Sequence, residues 1–321
     1  MKASARRQQT AISRQEWRWT AVWAVTGVVM ASLPYLLVWL TTPPELAYTG
    51  FLTNPEDGHT YLAKMRQGQL GDWHFRLPYT AEPHQGEYLF VYYLALGQLA
   101  RALGLHAPSA LIWVWHAARA ANGLILLFTL YFAVSHWFHD VALRRFTFAL
   151  ITLGSGLGWL AALFGRTTVD LWVPEGYVWY SFFANPHFPL AIAFSLPIVV
   201  WSVTPWGNRR VRPWRLVGVG LCALGLGLVL PLGLLTTGAA LAAYSLLLWI
   251  QRRRPPGHEM ASGVTLALAG GPFVLNAYLI TLRNPIMALW SAQNQTPSPP
   301  LWDYALSYGL VLLLALAGVC A

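Results

Sequence analysis

At 321 residues the chain could build one or two domains, but 56% of it is hydrophobic and only 10% is charged, against about a quarter charged in an ordinary soluble domain. That balance excludes a typical water-soluble enzyme and indicates an all-α integral membrane protein. The net charge of +9 fits an orientation signal and contact with membrane lipids rather than a nucleic-acid footprint, because the basic residues gather between apolar runs.

In chain order, residues 1–18 form a basic tail with Lys2, Arg6, Arg7, Arg14 and Arg18, and residues 19–321 form the membrane domain. A bilayer crossing needs roughly 17–25 apolar residues. The first such run, 19–40, exceeds the 7–15 apolar residues of a signal peptide and lacks a following A-x-A site, so it reads as a retained signal anchor. A long loop follows at 41–108. Further runs lie at 109–135 and 146–164, then a second loop at 165–187, then runs at 188–204, 215–232, 235–250, 261–281 and 302–320. The spacing predicts about eight transmembrane helices.

Basic clusters set the expected topology. Lys and Arg accumulate in cytoplasmic loops, and beyond the tail they fall at Arg144–Arg145, at Arg209, Arg210, Arg212 and Arg215, and at Arg252–Arg254. All of them lie on one side only if residues 87–105 do not cross. That segment is therefore expected to be an amphipathic surface helix in the first loop. The protein is then a multi-pass cell-membrane protein with a cytoplasmic N-terminus and two outer loops. Glu45, Glu56, Asp57, Asp72, Glu82, Glu87, Asp170, Glu175 and Asp303 fall outside. Cys222 and Cys320 sit within apolar runs, which leaves neither a disulfide framework nor a cysteine metal site.

Chemistry is expected in the two outer loops, since loops of this length are uncommon without function. Their aromatics, among them Trp73, Tyr79, Tyr88, Tyr92, Tyr93, Trp172, Tyr177, Trp179 and Tyr180, fit a headgroup-level belt or the lining of a groove for a lipid-linked substrate. Arg119 inside an apolar run costs roughly 2.5–3.5 kcal/mol on insertion scales. It is expected either to serve a site or to snorkel to the headgroups.

The order Glu56-Asp57, Tyr61, Gly68, followed by "EYLFVYYLALGQLARALGL" and an Arg-bearing second span, resembles the GT-C superfamily of polyprenol-dependent glycosyltransferases, in particular the family 39 type with aminoarabinose and protein O-mannosyl transferases. The acidic pair is reversed relative to the usual order, and "HQGE" stands where a proline pair commonly begins the surface helix. The resemblance covers residues 19–165. It implies a GT-C-like fold and transfer of a sugar from a polyprenyl-phosphate donor to an acceptor on the outer face.

Under that resemblance Asp57 is the candidate base, with Glu56 beside it, although Asp57 serves equally well as a helix N-cap. Lys64, Arg66 or Arg76 would hold the phosphate, or else anchor the loop to lipid headgroups. His59, Tyr61, Arg119, Glu175 and His187 complete the substrate-binding candidates. His59, His74, His84, Glu175 and His187 with Asp57 are compatible with a divalent metal ion, but no tight ligand spacing marks one, and the cofactor is left open. The expected partners are a lipid-linked sugar donor and membrane lipids, with no nucleic acid. The rival reading is a non-enzymatic carrier or flippase, or a degenerate GT-C-like protein, handling lipid-linked glycans.

Overall fold

The computed structural model describes residues 11–204, 212–295 and 297–320, without the side chains of Val319 and Cys320. Lys2, Arg6, Arg7, Arg209, Arg210 and the Cys320 thiol lie outside the described residues. The chain forms α1 (Arg14–Thr41), α2 (Pro55–Leu70), α3 (Val91–Ala102), α4 (Ala110–Trp137), α5 (Val141–Leu153), α6 (Gly158–Ala162), α7 (Val169–Trp172), α8 (Val178–Ala184), α9 (His187–Val203), α10 (Pro213–Val229), α11 (Pro231–Arg252), α12 (Gly257–Arg283), α13 (Pro285–Gln293) and α14 (Leu301–Cys320). Among the described residues there is no strand, and one antiparallel bridge joins Phe75 and Glu87.

Each expected apolar run falls mainly on helix, the 146–164 run being interrupted at 154–157. Among the described residues six helical segments are long and apolar enough to cross a membrane: Arg14–Thr41, Ala110–Trp137, Val141–Ala162 counted across the break between α5 and α6, Pro231–Arg252, Gly257–Arg283 and Leu301–Gly318. The fold is thus all-α and, by helix length and composition, of the multi-pass membrane class. Helices α9 and α10 are equally apolar but have 17 residues each, about 25 Å of rise against a hydrocarbon core of about 30 Å. The 87–105 segment yields only the 12-residue α3, about 18 Å long and too short to span. It buries Tyr93, Leu94, Gly97 and Ala100 along one face.

The chain divides into two compact units. The first comprises Met1–Thr53, Arg119–Pro189 and Gln295–Ala321, and the second Asn54–Ala118 and Leu190–Asn294. In the first unit, one end of α1 is fastened to α4 and α5 by charge. Ser13 and Glu16 cap α1 reciprocally. Glu16 Oε1 also accepts from Arg144 Nη1 at 2.8 Å and from Tyr131 Oη at 3.0 Å. Trp19, Trp23, Tyr131 and Phe148 pack edge-on or tilted around the pair.

Two apolar helices in this unit are broken. The Val141–Ala162 run unwinds between α5 and α6, and α14 contains a non-helical residue, Gly309, with φ 45° and ψ −124°, a conformation that a side chain would strain. The breaks meet: Leu157 N–H donates to the Leu306 carbonyl at 2.8 Å, and a Cβ on Gly156 would collide with the Ser307 carbonyl. Asp170 satisfies the unwound backbone. Its carboxylate accepts from Gly156 N–H and Gly158 N–H at 3.1 Å each, from Ser155 Oγ at 3.2 Å and from Thr168 Oγ1 at 2.6 Å. Asp303 does the same for Val169 N–H and Ser307 Oγ.

In the second unit, α9 to α12 share a core of Ile198, Val219, Ala223, Leu226, Leu234, Leu241 and Leu266. Helices α2 and α3 form a separate lobe in direct backbone contact, since a Cβ on Gly68 would meet the Leu94 carbonyl and one on Gly97 the Met65 carbonyl. A third face of the lobe, Phe75, Leu77 and Leu94, packs on Ile280 and Met287.

Removing one partner from a buried ion pair leaves a charge without water or counter-ion, which costs about 3–5 kcal/mol, whereas replacing both by apolar groups is often neutral. Arg144→Leu is therefore expected to lower the thermal unfolding midpoint in detergent, followed by tryptophan fluorescence, and Glu16→Leu/Arg144→Leu to restore most of the loss. Equal destabilisation by the single and double variants would contradict this account of Glu16.

Candidate functional site

Helix α2 carries the acidic pair. Asn54, the residue preceding it, adopts a left-handed conformation at φ 44°, and Pro55 occupies the first helical position, where its missing N–H costs nothing. The helix ends at Gly71, whose φ of 108° directs its N–H back to the Gln67 and Gly68 carbonyls. Glu56 and Asp57 thus lie inside the first turn rather than at the cap. Negative charge is favoured there by the helix dipole. Both are exposed, and the Asp57 carboxylate accepts no hydrogen bond from any described residue.

Asp57, Tyr61 and Lys64 follow the i, i+4, i+7 spacing that places side chains on one face of a helix. Lys64 is only 5% exposed. Its Nζ lies 3.8 Å from the Phe90 ring centroid, 4.8 Å from Tyr61 and 5.8 Å from Phe75. Aromatic faces attract a cation through the ring quadrupole. No described hydrogen-bond acceptor or carboxylate is within bonding distance of the ammonium. Burial pulls its pKa down to about 8, and the Asp57 charge opposes part of that shift. The same carboxylate acts on Tyr79 and Tyr93, whose phenols are raised mainly by burial and further by Asp57. Tyr93 stacks on Tyr61 at 4.4 Å with an 8° interplanar angle.

Several candidate residues are engaged in building this lobe. Arg66 Nη1 donates to Gln69 Oε1 at 2.5 Å and to the His106 carbonyl at 3.4 Å, while Gln69 Nε2 donates to the Leu105 carbonyl. Arg76 forms an exposed pair with Asp72 at 3.5 Å, and its backbone N–H and C=O both bind the Gln67 amide. His59 Nδ1 lies 2.6 Å from the Pro55 carbonyl, one turn back on α2. His84 Nε2 accepts from Leu77 N–H at 2.9 Å, so its proton resides on Nδ1, directed at the Glu82 carbonyl. These bonds close the 72–87 loop around Phe75.

The remaining candidates belong to the first unit. Arg119, 2% exposed, does not snorkel. Its Nη1 donates to the Phe182 and Phe183 carbonyls at 2.8 and 3.2 Å, its Nη2 to Ser32 Oγ at 3.0 Å, and its guanidinium lies 4.4 Å from the Tyr35 ring centroid. It therefore holds the last turn of α8 against α1. His187 is buried against Phe188 at 3.9 Å, and Glu175 is exposed beyond α7. Among the described residues no three His, Cys, Asp or Glu side chains form a metal-holding group.

Phe75 and Phe90, the cage walls, carry no sequence signal of a site. They come from a loop and from the residue before α3, and their role depends on the fold. Phe90 is held at φ 54°, unusual for a bulky side chain, and such strain concentrates at functional positions. A separate groove of about 550 Å³ between α11 and α12 is lined by Leu234, Gly238, Ala242, Ala267, Gly271 and Tyr278, among others, with no charged side chain. No protein-family model, no curated protein and no solved structure matches the chain.

Lys64 has a stability signature. Below about pH 8 it is charged in both folded and unfolded chains, and its burial penalty is fully present. Between about 8 and its unfolded value of 10.5, the folded chain sheds the proton first and the penalty fades. Lys64→Met is expected to be more stable than the wild type at pH 7, by at most roughly 3 kcal/mol at 1.36 kcal/mol per unit. Thermal melts at pH 7 and pH 10 should show that advantage shrinking; a difference independent of pH would exclude a charged, desolvated Lys64.

Proposed function

We propose that the chain is a membrane glycosyltransferase that moves a sugar from a polyprenyl-phosphate donor to an acceptor hydroxyl at the outer face. The observation that carries this reading is the pairing on one face of α2 of a donor-free, exposed carboxylate, Asp57, with a buried ammonium, Lys64, that has no acceptor of its own. Transfer requires a base for the acceptor proton and a cation for the departing phosphate.

In this mechanism the donor phosphate lies against Lys64. Asp57 takes the proton of the acceptor hydroxyl as the acceptor oxygen bonds to the anomeric carbon. The bond from that carbon to the phosphate oxygen breaks, and the polyprenyl phosphate leaves with the electron pair, its charge stabilised by the ammonium. Tyr61 and Phe90 hold the ammonium away from water, where its field on the phosphate is least screened.

Asp57→Asn keeps the size of the side chain but removes the base. It is expected to lower transfer of labelled sugar by about 10² to 10⁴, while Glu56→Gln costs much less, measured in membranes matched for protein level. Because Asp57 lies inside the first turn, Asn forfeits only a helix-dipole contribution of about 0.3–1 kcal/mol. Wild-type turnover in Asp57→Asn would remove the base assignment.

The same reading requires α2 and α3 outside and the Arg144–Arg145 and Arg252–Arg254 ends inside. Cysteine labelling of intact cells is expected to mark residues 45–106 and to spare 139–145 and 251–257. Labelling of both groups from outside would overturn the proposed orientation.

A second reading, the carrier, has one observation in its favour: two broken apolar helices meet beside the buried carboxylates of Asp170 and Asp303, and discontinuous helices are common at transporter binding sites. Asp170 is nevertheless saturated by donors of its own chain, as a structural pin would be.

A further inference from the structure

Charge balance around Lys64 carries a statement about its ligand, one that rests on the phosphate role proposed above. The ammonium is buried and is faced by Tyr61 from its own helix and by Phe75 and Phe90 from the flanking segments, with the Asp57 carboxylate acting on it from one face of α2; the same carboxylate acts on Tyr79 and Tyr93. Asp57 is the charged group that acts on it; no arginine does. Arg66 and Arg76 are turned to Gln69 and Asp72. The pocket thus offers one positive charge, with a negative charge nearby.

We infer that the Lys64 pocket selects a singly charged phosphodiester over the doubly charged phosphomonoester. Attraction to a single cation grows in proportion to the charge of the ligand, but the cost of stripping water from that ligand grows with the square of its charge. In a buried, aromatic-walled pocket the second charge therefore costs more than it returns, and Asp57 adds repulsion. A monoester fits once it carries a proton. Its second pKa is about 6, so its binding takes up a proton near neutrality, whereas a diester stays singly charged throughout.

The consequence for turnover is directional. A sugar joined to a polyprenyl phosphate is a phosphodiester, and the polyprenyl phosphate left after transfer is a monoester. The pocket holds the donor and sheds the product.

The test uses the full chain purified in detergent and two probes with the same tail, geranyl phosphate and geranyl methyl phosphate, titrated by calorimetry. At pH 7.5 the methyl diester is expected to bind at least about tenfold more tightly. At pH 5.5 the gap should close as the monoester gains its proton, and buffers of different ionisation enthalpy should report more proton uptake with the monoester than with the diester at pH 7.5, the diester drawing only the fraction that Lys64 itself takes up. Lys64→Gln should weaken the diester at least about tenfold, with tryptophan fluorescence melts establishing that it folds. Equal or tighter binding of the monoester at pH 7.5 would overturn the selectivity and leave the phosphate role of Lys64 standing. Binding of neither probe to the wild type would remove that role and the selectivity together.

Discussion

A charge withdrawn from water costs several kcal/mol unless something replaces the lost solvation, and in a chain this apolar that constraint determines where the polar residues sit. Glu16 is met by Arg144, Tyr131 and the start of its own helix. Asp170 is met by two backbone N–H groups and two hydroxyls, and Arg119 by two carbonyls, a hydroxyl and a ring face. Glu16 and Arg119 join segments far apart in sequence and Asp170 ties the break after α5 to α7, so their satisfaction is part of what fixes the helices of the first unit. Lys64 differs. Its compensation comes from ring faces and one carboxylate beyond bonding distance, with no hydrogen-bond acceptor for the ammonium among the described residues.

That arrangement depends on how closely α2 and α3 approach. Glycines at 68 and 97 allow backbone to meet backbone, and the approach is what stacks Tyr61 on Tyr93 and brings Phe90, at the start of α3, over an ammonium in the middle of α2. The loop between the helices is folded back by the Phe75–Glu87 bridge and by the Gln67 and His84 side chains, delivering Phe75 as a further wall. The left-handed Phe90 is a local cost, of order 1–3 kcal/mol for such conformations, offset by the packing of its ring on Phe75 and Trp290.

The sequence reading located the helices because apolar runs of spanning length are a property of local composition. It expected residues 87–105 not to cross, because spanning would have scattered the basic clusters, and the segment forms only the 12-residue α3. It proposed Glu56, Asp57 and Tyr61 from a resemblance in order and spacing, and Lys64 from the charge a phosphate needs; the structure places Asp57, Tyr61 and Lys64 on one face of α2. What local pattern could not supply was any relation between distant residues. Nothing near Glu16 in sequence announces Arg144, nothing near Asp170 announces the unwound backbone at Gly156, and Phe75 and Phe90 read as two ordinary apolar residues. The two broken helices were hidden for the same reason: an apolar run that includes three glycines, "LGSGLG" at 153–158, has the composition of a span whether or not it unwinds.

Partnered and unpartnered charge also separates the two functional readings. A carrier that moves an ion or a polar headgroup through the bundle needs buried ionisable groups whose bonds exchange as the cargo arrives and leaves. The carboxylates at the helix breaks are instead engaged with the backbone they stabilise, and exchanging those bonds would expose the N–H groups of Gly156 and Gly158 in an apolar surrounding. On α2 the situation is reversed. Asp57 and Lys64 sit on a stable helix, close enough for the field of one to shift the proton affinity of the other, yet neither consumes the other's hydrogen-bonding capacity. Under the proposed reaction the two would serve as a base and a cation held apart on a rigid element, as acid–base chemistry on a phosphate-bearing substrate requires, and an arriving anion would return the energy of keeping Lys64 charged and dry.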